Sequence, residues 1–221
     1  MWAARDIRYG GLNKRYKAKK GRLIRMIDPF TAQPVEFSTT LRADNWLMRN
    51  FCPGVVRCVV QPDTLGFFEK GVAHRTKCDT LTTFKDGTRV ADLVITELRS
   101  PSPDAWQILQ KAAVIHKLSA SLRTRDEIRG NPTLLGNLDM MRQHLVLHTD
   151  RCIDEVKKIV CEFVSQHKQP LSPVEVALEL AKRNVSEKST DSALFRLHRE
   201  GVLSINIEEI PYGCDSRIAP A

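Results

Sequence analysis

The sequence predicts a mixed α/β chain, in which a mixed sheet is flanked by helices and followed by a small, mainly helical second unit. Three observations lead there. Runs of β-branched residues at period 2 alternate with stretches whose apolar residues recur every three to four positions. The composition, with 42% hydrophobic and 27% charged residues in 221, is that of an ordinary globular chain long enough for one large domain and a small companion. From Asp150 onward the strand signals give way to three helical patterns and one short β run.

Taken in order, Arg22 to Ile27 reads as a short strand, and Asp28-Pro29 and Gln33-Pro34 mark irregular linkage. Ser38 is the expected N-cap of a helix running to Phe51, in which Leu41, Trp46 or Asn45, Met48 and Phe51 share a face. Cys52-Pro53-Gly54 ends it. Val55 to Val60 is a β-branched strand leading to Gln61-Pro62, Thr64 to Phe68 a further strand, and Lys70-Gly71 a loop. The central feature is a hairpin from Lys77 to Arg99, with Asp86-Gly87 as its turn. Pro101 to Asp104 then leads into a helix over Ala105 to Leu122 that carries Trp106, Leu109, Ala113 and Leu118, with His116 a surface or packing residue. Leu122 to Thr124 reads as a last strand entering a loop, and Asn131-Pro132 opens the helix Thr133 to His148.

In the second unit, Cys152 to His167 places Ile153, Val156, Ile159, Val160, Phe163 and Val164 at helical spacing. Ser172, Pro173 and Glu175 are an N-cap, a first-turn proline and a capping-box acid. A third helix over Ser189 to Glu200 ends at Gly201, and Val202 to Ile210 supplies strand-forming residues. Three helices and a β wing look like a winged helix-turn-helix. The domain boundaries expected are 1–33 for an opening arm, 34–147 for the sheet domain, 150–213 for the winged helix and 214–221 for a tail.

Charge is unevenly placed. The chain carries a net +8, and residues 1–33 hold nine Lys or Arg, Arg8, Lys14, Arg15, Lys17, Lys19, Lys20 and Arg22 among them, against two Asp. Interleaved with Trp2, Tyr9 and Tyr16, such an arm suits a nucleic-acid backbone through counterion release and stacking, or else an acidic protein. Residues 150–213 hold nine Lys or Arg against eleven Asp or Glu. That balance disfavours phosphate and favours protein docking. No apolar run approaches the ~20 residues of a membrane helix, and no secretory signal pattern is present, so a cytoplasmic location is expected. The six cysteines show neither C-x-x-C pairs nor zinc-ligand spacing and are expected to be reduced.

On the hairpin, Asp79 is brought back opposite the stretch from Asp92 to Glu97, and Glu97 and Arg99 share a face. Carboxylates on neighbouring strands can hold Mg²⁺ ions that polarise a phosphodiester and acidify an attacking water, with a cation beside them. An ordinary amphipathic hairpin with solvated charges is the alternative. The carboxylate-x-cation arrangement resembles the PD-(D/E)xK nuclease core. The order of pieces is also similar to the nuclease domain of the TnsA family, the strand-cutting subunits of heteromeric DNA transposons. That likeness rests on the helix Ser38 to Phe51, on CPGVVRCVVQP from Cys52, on HRTKCDTLTTFKDG from His74 and on RTRDEIRGNPTLLGNL from Arg123.

The resemblance implies a restriction-endonuclease-like core and a C-terminal winged helix. It further implies double-stranded transposon-end DNA, a transposase subunit and an AAA+ ATPase regulator as partners, and Mg²⁺ as cofactor where the site is active. Asp79 takes the place of the family's central metal-binding Asp, and either Glu97 or Asp92 fills the second acidic position. Two departures stand out. The position of the helix carboxylate is Arg42, and Arg99 replaces the lysine; guanidinium stays protonated and cannot act as a base. Lys77 or Lys111 could substitute. Weak or absent cleavage is therefore expected, with Arg42 and Arg99 contacting Asp79, Glu97 or a phosphate. An active Mg²⁺ endonuclease and a winged-helix regulator are the competing readings.

Overall fold

The computed structural model describes residues 23–95, 103–148 and 152–221. Two of its strands, β1 (Ile24–Ile27) and β2 (Pro34–Phe37), form an antiparallel hairpin. Helix α1 (Thr40–Asn50) follows. Its N-cap is Thr39 and not Ser38: the Thr39 hydroxyl accepts from the Arg42 amide, while Ser38 Oγ accepts from the Arg42 guanidinium at 2.5 Å.

The central sheet has four strands in the order β3 (Val55–Val60), β6 (Thr80–Phe84), β7 (Arg89–Val94), β8 (Ser119–Arg123). The first three run antiparallel in sequence, and β8 lies parallel to β7. A parallel neighbour needs a crossover, and α2 (Pro103–Ile115) supplies it. Between β3 and β6 the chain makes a second hairpin, β4 (Leu65–Glu69) with β5 (Val72–Thr76). Its turn has Lys70 at φ 51° and Gly71 at φ 79°, positive at both central positions as a two-residue hairpin turn requires.

Side-chain alternation divides the sheet's two faces. Ala91 and its neighbours Leu81, Leu93 and Ala120 pack with Leu109 and Trp106 of α2. Val55, Cys58 and Val94 face α1, whose Trp46 is fully buried. Helix α2 is shorter than expected. The chain turns at Lys117, φ 54°, and the residues from Ser119 pair with β7 instead of continuing the helix. The loop after β8 holds a short helix, α3 (Arg125–Arg129), closed by a capping box between Thr124 and Glu127.

Helix α4 (Pro132–Leu147) leads to α5 (Ile153–Ser165), α6 (Pro173–Ala181) and α7 (Glu187–Arg199). The capping box at Ser172 and Glu175 is formed as expected. Strand β9 (Leu203–Ile205) then pairs antiparallel with β10 (Ile218–Pro220), and Ile218 also bridges to Leu171. Residues 214–221 are thus not a tail, because they contain a strand whose Ile218 is fully buried. Likewise residues 23–33 belong to the fold and not to the arm, since β1 carries Arg25 in an ion pair with Glu36 of β2. A single set of packed buried side chains runs from Trp46, Phe51 and Val55 through Leu138, Met141 and Leu145 of α4 to Val160, Phe195 and Ile218. Among the described residues no helix is long and apolar enough to cross a membrane.

Candidate functional site

Helix α1 lies across β6 and β7, and the residues it directs at the sheet at spacings of three and four, Arg42, Asn45 and Arg49, are polar. Opposite them are Asp79, just before β6, and Asp92 in β7. Asp79 is pinned between the strands. Its amide donates to the Asp92 carbonyl at 2.7 Å, its carbonyl accepts from the Gln61 amide at 2.9 Å, and its Oδ2 accepts from the Val94 amide at 2.7 Å. The other oxygen, Oδ1, lies 2.7 Å from Arg42 Nε, an ion pair without hydrogen-bond alignment. The Arg42 contact with Asp79 expected from the sequence is therefore present.

Arg42 sits in the first turn of α1, where the helix dipole disfavours a cation and the turn holds no acid. Asp79 offsets that. Burial pushes the Asp79 carboxyl above the usual carboxylate range, and Asp92 adds to the rise, against the opposing pull of the Val94 amide and Arg42.

Asp92 is completely buried and fully engaged. Arg49 grips it with two bonds of 2.7 Å, Nε to Oδ2 and Nη2 to Oδ1, and Thr80 Oγ1 donates to Oδ2 at 2.9 Å. The Asn45 amide lies 3.4 Å from the same oxygen, and Asn45 Oδ1 accepts from Arg123 Nε of β8 at 3.2 Å. Each carboxylate therefore has one guanidinium against it, Arg42 on Asp79 and Arg49 on Asp92, while Arg123 reaches the corner through Asn45. The bidentate guanidinium and the Thr80 hydroxyl neutralise and orient the Asp92 carboxylate, so that a second cation would have to compete with Arg49 for it.

A divalent ion does not fit this arrangement. Asp79 Oδ2 accepts from the Val94 amide, its Oδ1 faces the Arg42 guanidinium, both Asp92 oxygens accept from Arg49, and among the described residues no three His, Cys, Asp or Glu side chains gather to hold a metal. Of the substitutes for the lysine, Lys111 points away to Glu69 of the β4–β5 hairpin, 2.8 Å from its Oε2, and Lys77 is exposed. His116 Nε2 meets the Gly66 carbonyl at 2.9 Å, a packing role as expected. The buried thiols beside the corner, Cys58 and Cys78, are pushed up to about 12 by burial and stay protonated.

Glu97 and Arg99 lie outside the described residues, as do Arg8, Lys14, Arg15, Lys17, Lys19, Lys20 and Arg22 of the arm. Sequence reasoning missed Arg49 and the depth of Asp92. The signal available was the spacing of Arg42, Asn45 and Arg49, which marks a polar stripe on a helix otherwise anchored by Trp46. No protein-family profile matches the chain, and no curated protein matches it significantly.

Proposed function

We propose that this chain is a TnsA-like subunit of a heteromeric DNA transposition machinery, one that binds transposon-end DNA and docks partner proteins without cutting. In this reading the mixed sheet with α1 and α2 is a restriction-endonuclease-like core, and α5 to α7 with β9 and β10 form a winged helix. The order helix, three antiparallel strands, helix, parallel strand supports the core assignment, with Asp79 just before the inner strand β6 and Asp92 in the inner strand β7, both facing the first helix.

The single observation that carries the non-cutting reading is the closure of that corner by Arg42 and Arg49. A guanidinium on each carboxylate occupies the place that Mg²⁺ would take and gives no general base. The basic arm supplies the DNA affinity by neutralising phosphates. The acidic C-terminal unit meets proteins, a transposase subunit and an AAA+ ATPase regulator by the family resemblance.

The experiment is duplex binding and cleavage by the full chain, with transposon-end DNA, Mg²⁺ or Mn²⁺ and a salt series. The result expected is no strand cutting and salt-steep binding. Removal of residues 1–22, which leaves β1 intact, should flatten the log–log slope by about 0.9 for each phosphate that is no longer neutralised. Cuts that disappear in Asp79→Ala would show a live nuclease and overturn the reading.

A further inference from the structure

Between the β1–β2 hairpin and the sheet lies an open cleft of about 790 Å³, bordered by Asp28, Phe30, Glu36, Arg57, Arg196 and Arg199. Among the described residues both long walls are strand edges without a neighbour: β3 ends the four-stranded sheet, and β2 pairs only with β1. The register fixes which backbone groups are free. Lys85 N donates to Gly54 O and Gln61 N to Asp79 O, so Arg57 and Val59 turn their peptide groups toward β6. The backbone N–H and C=O of Cys58 and Val60 consequently face the cleft. By the same parity, the bond from Asp28 N to Gln33 O turns Val35 toward β1 and leaves the backbone of Glu36 and the carbonyl of Pro34 on the open side.

The charges in the cleft are not balanced. Each acid is satisfied from elsewhere: Asp28 Oδ1 accepts from Asn50 Nδ2 at 3.2 Å and from the Phe30 amide at 3.0 Å, and Glu36 pairs with Arg25. Glu200, whose field reaches Arg196 and Arg199, accepts instead from Lys157 at 2.6 Å, and Asp28 acts on Arg199 through its field, with no hydrogen bond between them. The cations are left over. Among the described residues Arg196 Nε is buried with no hydrogen-bond partner, and Arg57 forms none of the ion pairs. Among the described residues Arg199 donates only to oxygens of Asn50 and Val56, at 2.7 to 3.5 Å. The Phe30 ring holds two of them in place, with Arg199 3.8 Å and Arg196 5.7 Å from its centroid.

We propose that this cleft takes an extended acidic peptide of a partner protein, which adds as a strand to the β3 edge and lays its carboxylates against Arg57, Arg196 and Arg199. Strand addition satisfies the free backbone groups, and alternate acidic side chains supply the missing counter-charges. A nucleic-acid strand would satisfy the cations alone and leave the rows of amides and carbonyls unused. The inference does not depend on the nuclease-like reading of the Asp79 corner.

The test is selection of random decapeptides displayed on phage against the full chain, followed by fluorescence anisotropy of the retained peptides. Retained sequences should alternate Asp or Glu with β-branched residues. Their affinity should fall at least about tenfold, some 1.4 kcal/mol, in Arg57→Glu, an exposed site that does not threaten the fold. Val60→Pro, which removes one cleft-facing N–H, should weaken them similarly. A library that yields no acidic peptides, or peptides that bind Arg57→Glu as tightly as the parent, would overturn the proposal. So would a single-stranded oligonucleotide that binds through Arg57 where no acidic peptide does.

Discussion

Asp92 shows at the level of one side chain how the corner constrains the fold. Its carboxylate is wholly buried, and Arg49 is its one cationic hydrogen-bond partner among the described residues. Replacing Arg49 with Met leaves an uncompensated buried charge and should destabilise the chain by about 3–5 kcal/mol in denaturant unfolding. Adding Asp92→Asn to Arg49→Met should recover part of that loss; an additive double mutant would show that the two groups are not coupled. His198 gives the pH dependence. It is buried with Nδ1 unpartnered, and burial lowers its pKa below the ordinary histidine value. The folded state therefore disfavours the protonated ring, so its contribution is fully present above the unfolded pKa of about 6.5 and is lost as pH falls through the lowered folded value. His198→Gln should flatten the fall in unfolding free energy between neutral and mildly acidic pH, and an unchanged fall would assign it to other groups.

Among the elements, local chemistry made some legible and hid others. Strand Val55–Val60 was readable because β-branched residues end at Pro53-Gly54 and Gln61-Pro62, and α6 because Ser172, Pro173 and Glu175 state its start. The β4–β5 hairpin was hidden because its turn puts a lysine, not Asn or Asp, at a positive φ. The end of α2 was hidden because the periodic apolar residues continue to Leu118, and only pairing with β7 decides that Ser119 onward is a strand. In the candidate site, Asp79 and Arg42 were legible one by one. The Arg49 clamp was not, because the spacing of Arg42, Asn45 and Arg49 marks a polar stripe without saying that it faces the sheet. Helix α4 is where the element scale meets the next: Met141 is completely buried within the core that contacts both α1 and α7. Met141→Ala should cost about 2–5 kcal/mol.

Across the whole molecule, that continuous core makes the two sequence units one cooperative body. Heating should give a single transition by both near- and far-ultraviolet circular dichroism, and Met141→Ala should shift it without splitting it; two separated transitions would show that the units unfold independently. The proposed role as a DNA-bound docking subunit rests on the Asp79–Asp92 corner, which Arg42 and Arg49 close. In that role guanidinium groups stand where a metal would. Calorimetric titration of the full chain with Mn²⁺ tests this most directly: no binding is predicted for the parent and none for Asp79→Ala, with binding gained in Arg42→Glu, where a carboxylate replaces the cation beside Asp79. Saturable Mn²⁺ binding by the parent that Asp79→Ala abolishes would contradict it.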